Sequence, residues 1–335
     1  MADPAKLSLL DLVRVREGRD ASDALAEAQD TAALVDQLGF TRYWVAEHHN
    51  MEGIASAATS VVLAHVGQRT KGIRLGAGGI MLPNHAPYII AEQFGTLARL
   101  FPGRVDLGLG RAPGTDQATL RAIRTTNNRA QEFPQDVEEL FHWFEPDNDP
   151  GYIRAYPAAG AKIDFWMLGS STFGAMLAAE LGLPYAFASH FAPDHLHEAM
   201  QLYRSRFKPS KYLAKPYAAM GAHVVCAETT EEAKRLFTTT QMSFCGILRN
   251  DRRLSPPPID AIDDYWTPQE RAHVSRMLSC AVVGTPEQVQ RGLDRLVMET
   301  GVDELIVMSD VYDIEARRSS LQLTADAWGL TPRQA

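Results

Sequence analysis

Short apolar stretches alternate with amphipathic helical stretches along the whole chain. Residues 7–13 predict a β-strand, and from about Ser22 apolar residues recur at helical spacing until Gly39 ends the helix. A second predicted strand, at residues 41–46, follows at once. This alternation is typical of a parallel sheet with helices between its strands.

Six further strands bring the predicted total to eight; they cover residues 73–80, 104–110, 163–168, 184–189, 217–226 and 303–309. Eight β/α units favour a single (β/α)8 TIM barrel over an open doubly wound sheet. The length of 335 residues fits one such domain over residues 1–335.

Two long insertions interrupt the regular pattern of strands and helices. One covers residues 111–160, after strand 4, and contains a predicted helix near residues 136–144. The other covers residues 249–270, after the strand 7 helix, and includes three consecutive prolines. Long connections in compact domains are often functional, so the second insertion is expected to be a mobile flap or a solvated surface loop.

Composition and charge exclude several classes of function. The net charge is −8 and no run of Lys and Arg is present, which disfavours nucleic acid and anionic membranes as partners. The longest uncharged stretch, residues 75–91, contains two prolines, an asparagine and a histidine, so no transmembrane helix is expected. The three cysteines are far apart and suggest neither disulfides nor a zinc site. The N-terminus lacks the features of a secretory signal, so we expect a cytoplasmic protein.

Reactive residues gather at the ends of the predicted strands, where a TIM barrel carries its active site. Strand 2 runs into Glu47-His48-His49. Neighbouring residues at a strand end point to opposite sides, so one histidine is expected to enter the pocket as an acid, base or hydrogen-bond donor. The other would be structural, and the alternative is that both are satisfied by the backbone. Adjacent histidines do not match the helical i, i+4 metal motif, and no metal site is predicted.

Hydroxyl groups and an arginine at neighbouring strand ends predict a phosphate site. Ser170, Ser171 and Thr172 lie between strand 5 and a helix, where the helix dipole favours an anion. Arg111, at the end of strand 4, can make a two-pronged contact with the same phosphate. The alternatives are an ordinary helix cap and a surface ion pair.

Glycines mark the end of strand 3. Gly76, Gly78 and Gly79 remove side chains where this strand reaches the barrel mouth, so that a flat ligand could approach its backbone. A β-bulge is a compatible alternative. The second glycine-containing segment, residues 108–110, lacks the third glycine of a dinucleotide fingerprint, and no nicotinamide site is predicted.

The substrate cannot be identified from the sequence. Met81, Trp166, Phe191 and Tyr217 are candidates either for an apolar pocket or for core packing. His190 is expected to border the pocket.

Taken in order, these motifs resemble the bacterial luciferase-like flavin-dependent monooxygenases over nearly the whole chain. The segments that carry the resemblance are residues 46–50, 76–83, 103–111, 169–171, 178–184 and 283–287. The resemblance implies a (β/α)8 barrel, usually a homodimer, that holds FMN at the C-terminal ends of its strands. His48 matches the catalytic histidine of the family, and Gly78-Gly79 match a non-proline cis peptide that lies against the flavin. The implied cofactor-binding residues are Gly78, Gly79, Arg111, Ser170, Ser171 and Thr172.

The implied reaction is that of an FMN-dependent monooxygenase. Reduced FMN and O2 would form a flavin C4a-hydroperoxide that transfers one oxygen atom to a small organic substrate. Gly110 stands where luciferase itself has a reactive cysteine, so a non-luminous relative is expected. A separate NAD(P)H:flavin reductase would supply the reduced FMN. The alternatives are an oxidoreductase that uses the deazaflavin F420 and a flavin-binding protein without turnover.

Overall fold

The chain folds as alternating strands and helices, and the computed structural model describes residues 4–112, 115–146, 153–251 and 253–333. The strands are β1 (Lys6–Asp11), β2 (Arg42–Val45), β3 (Arg74–Met81), β4 (Val105–Gly110), β5 (Asp164–Gly169), β6 (Tyr185–Phe187), β7 (Ala218–Cys226), β8 (Val282–Gly284) and β9 (Glu304–Met308). The helices are α1 (Ala21–Gln37), α2 (Thr59–Gly67), α3 (Pro87–Leu100), α4 (Gln117–Ala122), α5 (Phe133–Phe144), α6 (Thr172–Leu181), α7 (Leu196–Arg206), α8 (Thr230–Leu248), α9 (Pro268–Met277), α10 (Pro286–Thr300) and α11 (Ile314–Trp328). Short 3-10 helices cover Leu82–Asn84, Asn127–Gln131 and Ile262–Asp264. Within the described ranges, no helix combines the length and the apolar character that crossing a membrane requires.

All strands except β8 close into one parallel barrel. Each of β1 to β6 pairs with the next strand along the chain, β7 pairs with β9, and β9 pairs with β1. This confirms the predicted (β/α)8 TIM barrel, and the bounds of its eight strands lie within two residues of those predicted. Because the strands are parallel, their C-terminal ends meet at one rim, which we call the mouth.

The sequence pattern does not predict β8. This strand pairs with the second half of β7, with Val224 opposite Val282, beyond the part of β7 that pairs with β9. Among the described strands β8 pairs only with β7, so it lies outside the regular order of β/α units from which the eight strands are predicted.

Alternate strand residues fill the inside of the barrel, because side chains of a strand point to its two faces in turn. The apolar residues of this interior are Leu10, Leu12, Trp44, Ala46, Trp166, Ala186, Ala219, Ile306 and Met308. The intervening residues, such as Leu9, Tyr43 and Val45, pack outward in the larger core under the helices.

Charged side chains fill the interior at the end of the barrel opposite the mouth. Arg42 is only 6% exposed and donates hydrogen bonds of 2.8 Å to both Asp106 and Glu304. Its guanidinium also lies 4.5 Å from the centre of the Trp166 ring. Buried charges need such partners, and this end of a TIM barrel serves stability rather than catalysis.

The two predicted insertions are both present. In the first, the predicted helix begins a few residues earlier than expected, at Phe133, with Pro134 in its first turn. The second insertion is bound to the barrel at Ser255. Ser255 donates its N–H to the carbonyl of Val15 at 2.9 Å and accepts from the N–H of Glu17 at 3.0 Å. These backbone bonds attach the first part of this segment to the loop that follows β1, and its mobility stays a prediction.

Candidate active site

The inward pattern of the strands continues into polar residues at the mouth. Leu12, Ala46 and Met308 belong to the barrel interior, and Arg14, His48 and Asp310 follow them by two positions. The polar positions are Arg14 after β1, His48 after β2, His190 after β6, His223 within β7 and Asp310 after β9. The rings of His190 and His223 have centroids 6.1 Å apart, and Arg14 Nε lies 3.2 Å from the Asp310 carboxylate. His48 and Arg14 both contribute to lowering the pKa of His190. The structure therefore brings His48 and His190 into one polar region, as the sequence predicts for the pocket.

The predicted phosphate residues also meet at the mouth. The Arg111 guanidinium lies 4.0 Å from the centre of the ring of Phe173, the second residue of α6. Ser171 precedes α6 with extended backbone, and its hydroxyl makes no capping hydrogen bond to the helix. Arg111 has no ion pair among the described residues. Among the described residues Ser171 is not a side-chain cap and Arg111 is not in an ion pair, so an anion at the first N–H groups of α6 stays a prediction.

Small residues explain why α6 begins so close to β5. A side chain at Gly174 would place its Cβ 3.2 Å from the carbonyl oxygen of Leu168. The helix ends at Gly182, whose φ of +62° is the left-handed conformation that glycine adopts without strain. The close approach sets the hydroxyl groups of Ser170, Ser171 and Thr172 directly at the strand end.

The glycines of β3 make room for side chains of the protein itself. A Cβ on Gly76 would lie 2.6 Å from Trp44 Nε1, and one on Gly78 would lie 2.7 Å from Trp44 Cε3. One on Gly79 would lie 2.4 Å from Leu168 Cδ1. The pairing of β3 with β4 shifts register between Ala77 and Ile80, and the Gly78-Gly79 peptide bond is cis, as the resemblance implies. The contact of Gly78 and Gly79 with a flavin stays a prediction.

The two adjacent histidines occupy different environments. His48 continues the inward pattern of Trp44 and Ala46 and is half-buried at the mouth. His49 instead turns to Glu47, with 2.6 Å between His49 Nε2 and a carboxylate oxygen. His49 therefore has the structural partner expected of one histidine, and the entry of His48 into a pocket stays a prediction.

Glu47 joins the ends of two strands. Its buried carboxylate accepts a hydrogen bond from the backbone N–H of Met81 at 2.9 Å, and His85 Nε2 lies 2.9 Å and 3.0 Å from its two oxygens. Burial alone would raise the pKa of Glu47, but hydrogen bonds from His49 and His85 outweigh it and bring the pKa to about 2. The same contact raises the pKa of His49. Glu47 is therefore a carboxylate that fixes the β3 end relative to the loop carrying His48.

Glu47, His49 and His85 also form a set that could hold a metal ion, since their ligating atoms lie within 4.8 Å of one another. Both imidazole Nε2 atoms are already at direct hydrogen-bonding distance from the carboxylate. We interpret the set as a hydrogen-bonded network, and the absence of a metal site stays a prediction.

His85 is among the residues expected at the end of strand 3, whereas three residues of the mouth were not predicted from the sequence: His223, Arg14 and Asp310. These three continue the alternation of an inward-facing strand, which is the signal that could have identified them. The contact of His85 with Glu47 is not predicted, because His85 follows the 3-10 helix Leu82–Asn84 and lies outside the strand alternation.

The four candidates for an apolar pocket separate into core and mouth. Trp166 is 1% exposed and packs edge-on against Trp44 inside the barrel. Tyr217 lies at the opposite end from the mouth, where its hydroxyl donates to Glu304 at 2.8 Å. Both are therefore core residues. Met81 ends β3, and Phe191 follows β6 and is 42% exposed, so these two remain candidates for the pocket.

Gly110 ends β4 beside Met81. A Cβ at Gly110 would lie 3.1 Å from the Met81 sulfur, so the thioether occupies part of the space that a side chain at this position would need.

Comparisons with known proteins agree on one family. The residue pattern of the luciferase-like monooxygenases matches residues 5–304. A luciferase-like monooxygenase of Escherichia coli (strain K12) is 48% identical over 320 residues, which are 95% of this chain and 96% of that protein. The N-acetyl-S-alkylcysteine monooxygenase of Bacillus subtilis (strain 168) is 30% identical over 330 residues, 96% of this chain and 98% of that protein.

Solved structures show the same fold. The crystal structure of apo-MsnO8 has a TM-score of 0.87 and 33% sequence identity and covers 98% of this chain and 99% of that one. More distant structures with the fold include a type II Baeyer-Villiger monooxygenase of Pseudomonas putida in complex with FMN, with 18% identity and a TM-score of 0.71. An F420-dependent secondary alcohol dehydrogenase has 14% identity and a TM-score of 0.70. By its residue pattern and its relatives, the chain belongs to the luciferase-like monooxygenase family.

Proposed function

We propose that this protein is an FMN-dependent monooxygenase that uses reduced flavin and O2 to place one oxygen atom on a small organic substrate. The observation that carries the proposal is the position of Arg111 beside the open N-terminus of α6, in a barrel of this family. When bound and reduced, the flavin would supply the electrons that activate O2.

The residues at the mouth fit a flavin phosphate. Arg111 offers a planar pair of N–H donors, and Ser170, Ser171 and Thr172 offer hydroxyl groups at the positive end of the helix dipole. The dianion would gain charge-assisted hydrogen bonds there, which are stronger than neutral ones. With the phosphate held at this point, the ring would extend over the mouth toward Gly78 and Gly79.

His48 is the proposed acid or base. It lies on the inward side of the β2 end, close enough to His190 to influence its pKa. A histidine there can hold or deliver a proton at the reacting substrate, an effect commonly of about 10² to 10⁴ in rate. We expect His48→Ala to slow product formation by about that factor when reduced FMN is supplied in excess. An unchanged rate would contradict this role.

The reduced flavin is proposed to come from a separate NAD(P)H:flavin reductase. No nicotinamide-binding fingerprint is present in the sequence. We expect the purified protein with FMN and NADH to oxidise NADH no faster than free FMN does. Rapid NADH oxidation by the protein alone would contradict this partner.

A homodimer is proposed as the assembly. Val61 on α2 is 66% exposed and Ile89 on α3 is 45% exposed, and these two helices pack side by side. Exposed apolar residues on adjacent helices favour a covered interface. Light scattering should give a particle of twice the 37.0 kDa chain mass, and a monomer would contradict the proposal.

The binding test uses fluorescence titration with FMN and with riboflavin, which lacks the phosphate. Arg111→Gln should weaken FMN binding about ten- to a hundredfold, the effect of losing a charged hydrogen bond, and should leave riboflavin binding unchanged. Arg121→Gln, an exposed arginine on α4, is the matched control. If wild-type protein binds neither oxidised nor reduced FMN, the proposal fails. Preferential binding of F420 would favour the hydride-transfer alternative.

The activity test combines the protein with a flavin reductase, NADH, FMN and ¹⁸O2. Because a relative is named for N-acetyl-S-alkylcysteine, N-acetyl-S-methylcysteine is the first of a panel of small substrates. Product with one ¹⁸O atom, detected by mass spectrometry, is the expected result. Flavin binding without any oxygenated product across the panel would favour a flavin-binding protein without turnover.

A further inference from the structure

Arg14 occupies a fixed position at the mouth. It follows β1 by three residues and continues the inward pattern of Leu10 and Leu12. Its backbone forms an isolated antiparallel bridge with Ile54, and the next residue, Val15, accepts the N–H of Ser255. The loop that carries Arg14 is therefore held on both sides by other loops of the mouth.

The backbone immediately before Arg14 is strained. Val13 has a φ of +50°, in the left-handed region that β-branched residues rarely adopt. Its N–H donates to the Asp11 carboxylate at 2.8 Å, which holds this conformation. Strained residues persist where the surrounding structure requires them, often at functional sites. Here the left-handed conformation of Val13 turns the chain after the end of β1, where Arg14 enters the mouth.

The Arg14 guanidinium is bound on one edge only. Its Nε donates to Asp310 at 3.2 Å, and the Asp310 side chain is 6% exposed. No described residue accepts a hydrogen bond from either of its terminal Nη groups. The side chain is 22% exposed, so small molecules at the mouth can reach it. An arginine with one edge anchored and the other open is well placed to bind a carboxylate in a two-pronged manner.

The two buried histidines beside Arg14 add no positive charge, and Arg317, the other cation near Asp310, is buried and paired with Asp11. Burial lowers the pKa of His190 to about 3 and that of His223 to about 4, so both rings are neutral at pH 7. The pKa of Asp310 is lowered by Arg14 despite the opposing effect of burial, so its carboxylate stays charged. Asp310 lies on the Nε side, which leaves the Nη side to an incoming anion. The His190 ring packs on Gly221, where a Cβ would lie 2.2 Å from its Nδ1, and it cannot replace the arginine charge.

From this geometry we infer that the substrate of the proposed monooxygenase is an organic anion, and that Arg14 binds its carboxylate while the oxidised atom faces His48. This inference rests on the proposed function for the reaction itself. The competing interpretation is that Arg14 serves only to neutralise Asp310. The two differ in whether the protein distinguishes a carboxylate from its neutral ester.

Isothermal titration of the FMN-loaded protein tests the inference with N-acetyl-S-methylcysteine and its methyl ester as probes. On wild-type protein we expect the acid to bind at least tenfold more tightly than the ester. In Arg14→Met this preference should fall below threefold, and Arg14→Lys should retain part of it. Arg19→Met, in the same loop with a side chain that is 59% exposed, is the control and should keep the full preference.

Removing Arg14 leaves the Asp310 carboxylate without its partner, so the double variant Arg14→Met/Asp310→Asn is measured in parallel. If this variant folds, binds FMN and has lost the preference for the acid, the inference holds. Equal binding of acid and ester to wild-type protein, binding of neither, or a preference that survives both Arg14→Met variants would overturn it. Failure of wild-type protein to bind FMN would instead overturn the proposed function, so the two failures are distinguishable.

Discussion

Replacing Glu47 by glutamine should destabilise the protein in a pH-dependent manner. The carboxylate is 1% exposed, and contacts with His49 and His85 overcome the opposing effect of burial to lower its pKa from 4.5 to about 2. One pKa unit corresponds to about 1.4 kcal/mol, so ionisation of Glu47 contributes about 3 kcal/mol to the free energy of unfolding. Glu47→Gln keeps the shape of the side chain and removes this charge.

The direction of the pH dependence follows from the lowered pKa. The contribution of Glu47 is complete above about pH 4.5 and is lost as the pH falls toward about 2, where the folded protein also binds the proton. His49 has the opposite sign: its raised pKa stabilises the fold below its ordinary value of 6.5, and this contribution is lost as the pH rises through the higher folded value. The difference between wild type and Glu47→Gln should therefore shrink at low pH.

Urea unfolding followed by tryptophan fluorescence at pH 7, 5 and 3.5 measures this difference. Glu52→Gln, an exposed glutamate in the same loop, is the matched control and should change the free energy of unfolding by less than about 0.5 kcal/mol. The reasoning is refuted if Glu47→Gln is as stable as this control at pH 7. It is also refuted if its deficit is the same at all three pH values.

Two further predictions concern the barrel interior. Arg42→Met leaves the buried Glu304 carboxylate without an arginine partner among the described residues, whereas Asp106 keeps Arg74, and it should lower the free energy of unfolding by about 3 to 5 kcal/mol. Arg295→Met, at an exposed ion pair, should cost under about 1 kcal/mol, and equal losses in chemical denaturation would contradict this. Gly76→Ala places a Cβ 2.6 Å from Trp44 Nε1 and should cost about 1 to 3 kcal/mol by overpacking. In the double variant Gly76→Ala/Trp44→Phe, the smaller ring should recover part of the lost stability. An unchanged melting temperature in Gly76→Ala alone would show that the glycine is not required for packing.

The element order and the strand-end location of the site follow from sequence pattern. Period-2 and period-3.6 hydrophobic spacing is local, so it predicts the eight barrel strands to within two residues. The neighbourhood of Arg111, Ser171 and the start of α6 follows as well, because parallel strands necessarily end at one rim.

Hydrophobic spacing along the chain does not predict contacts between distant segments. Glu47 meets His85, 38 residues away, and Arg14 meets Asp310, 296 residues away, only because β1, β2, β3 and β9 become neighbours when the barrel closes. The glycines of β3 suggest space for a ligand, yet pairing of β2 with β3 fills the space beside Gly76 with the Trp44 indole. Local spacing records which face a residue occupies; which side chain stands opposite depends on strand register and barrel closure, and these are decided by packing of the whole chain.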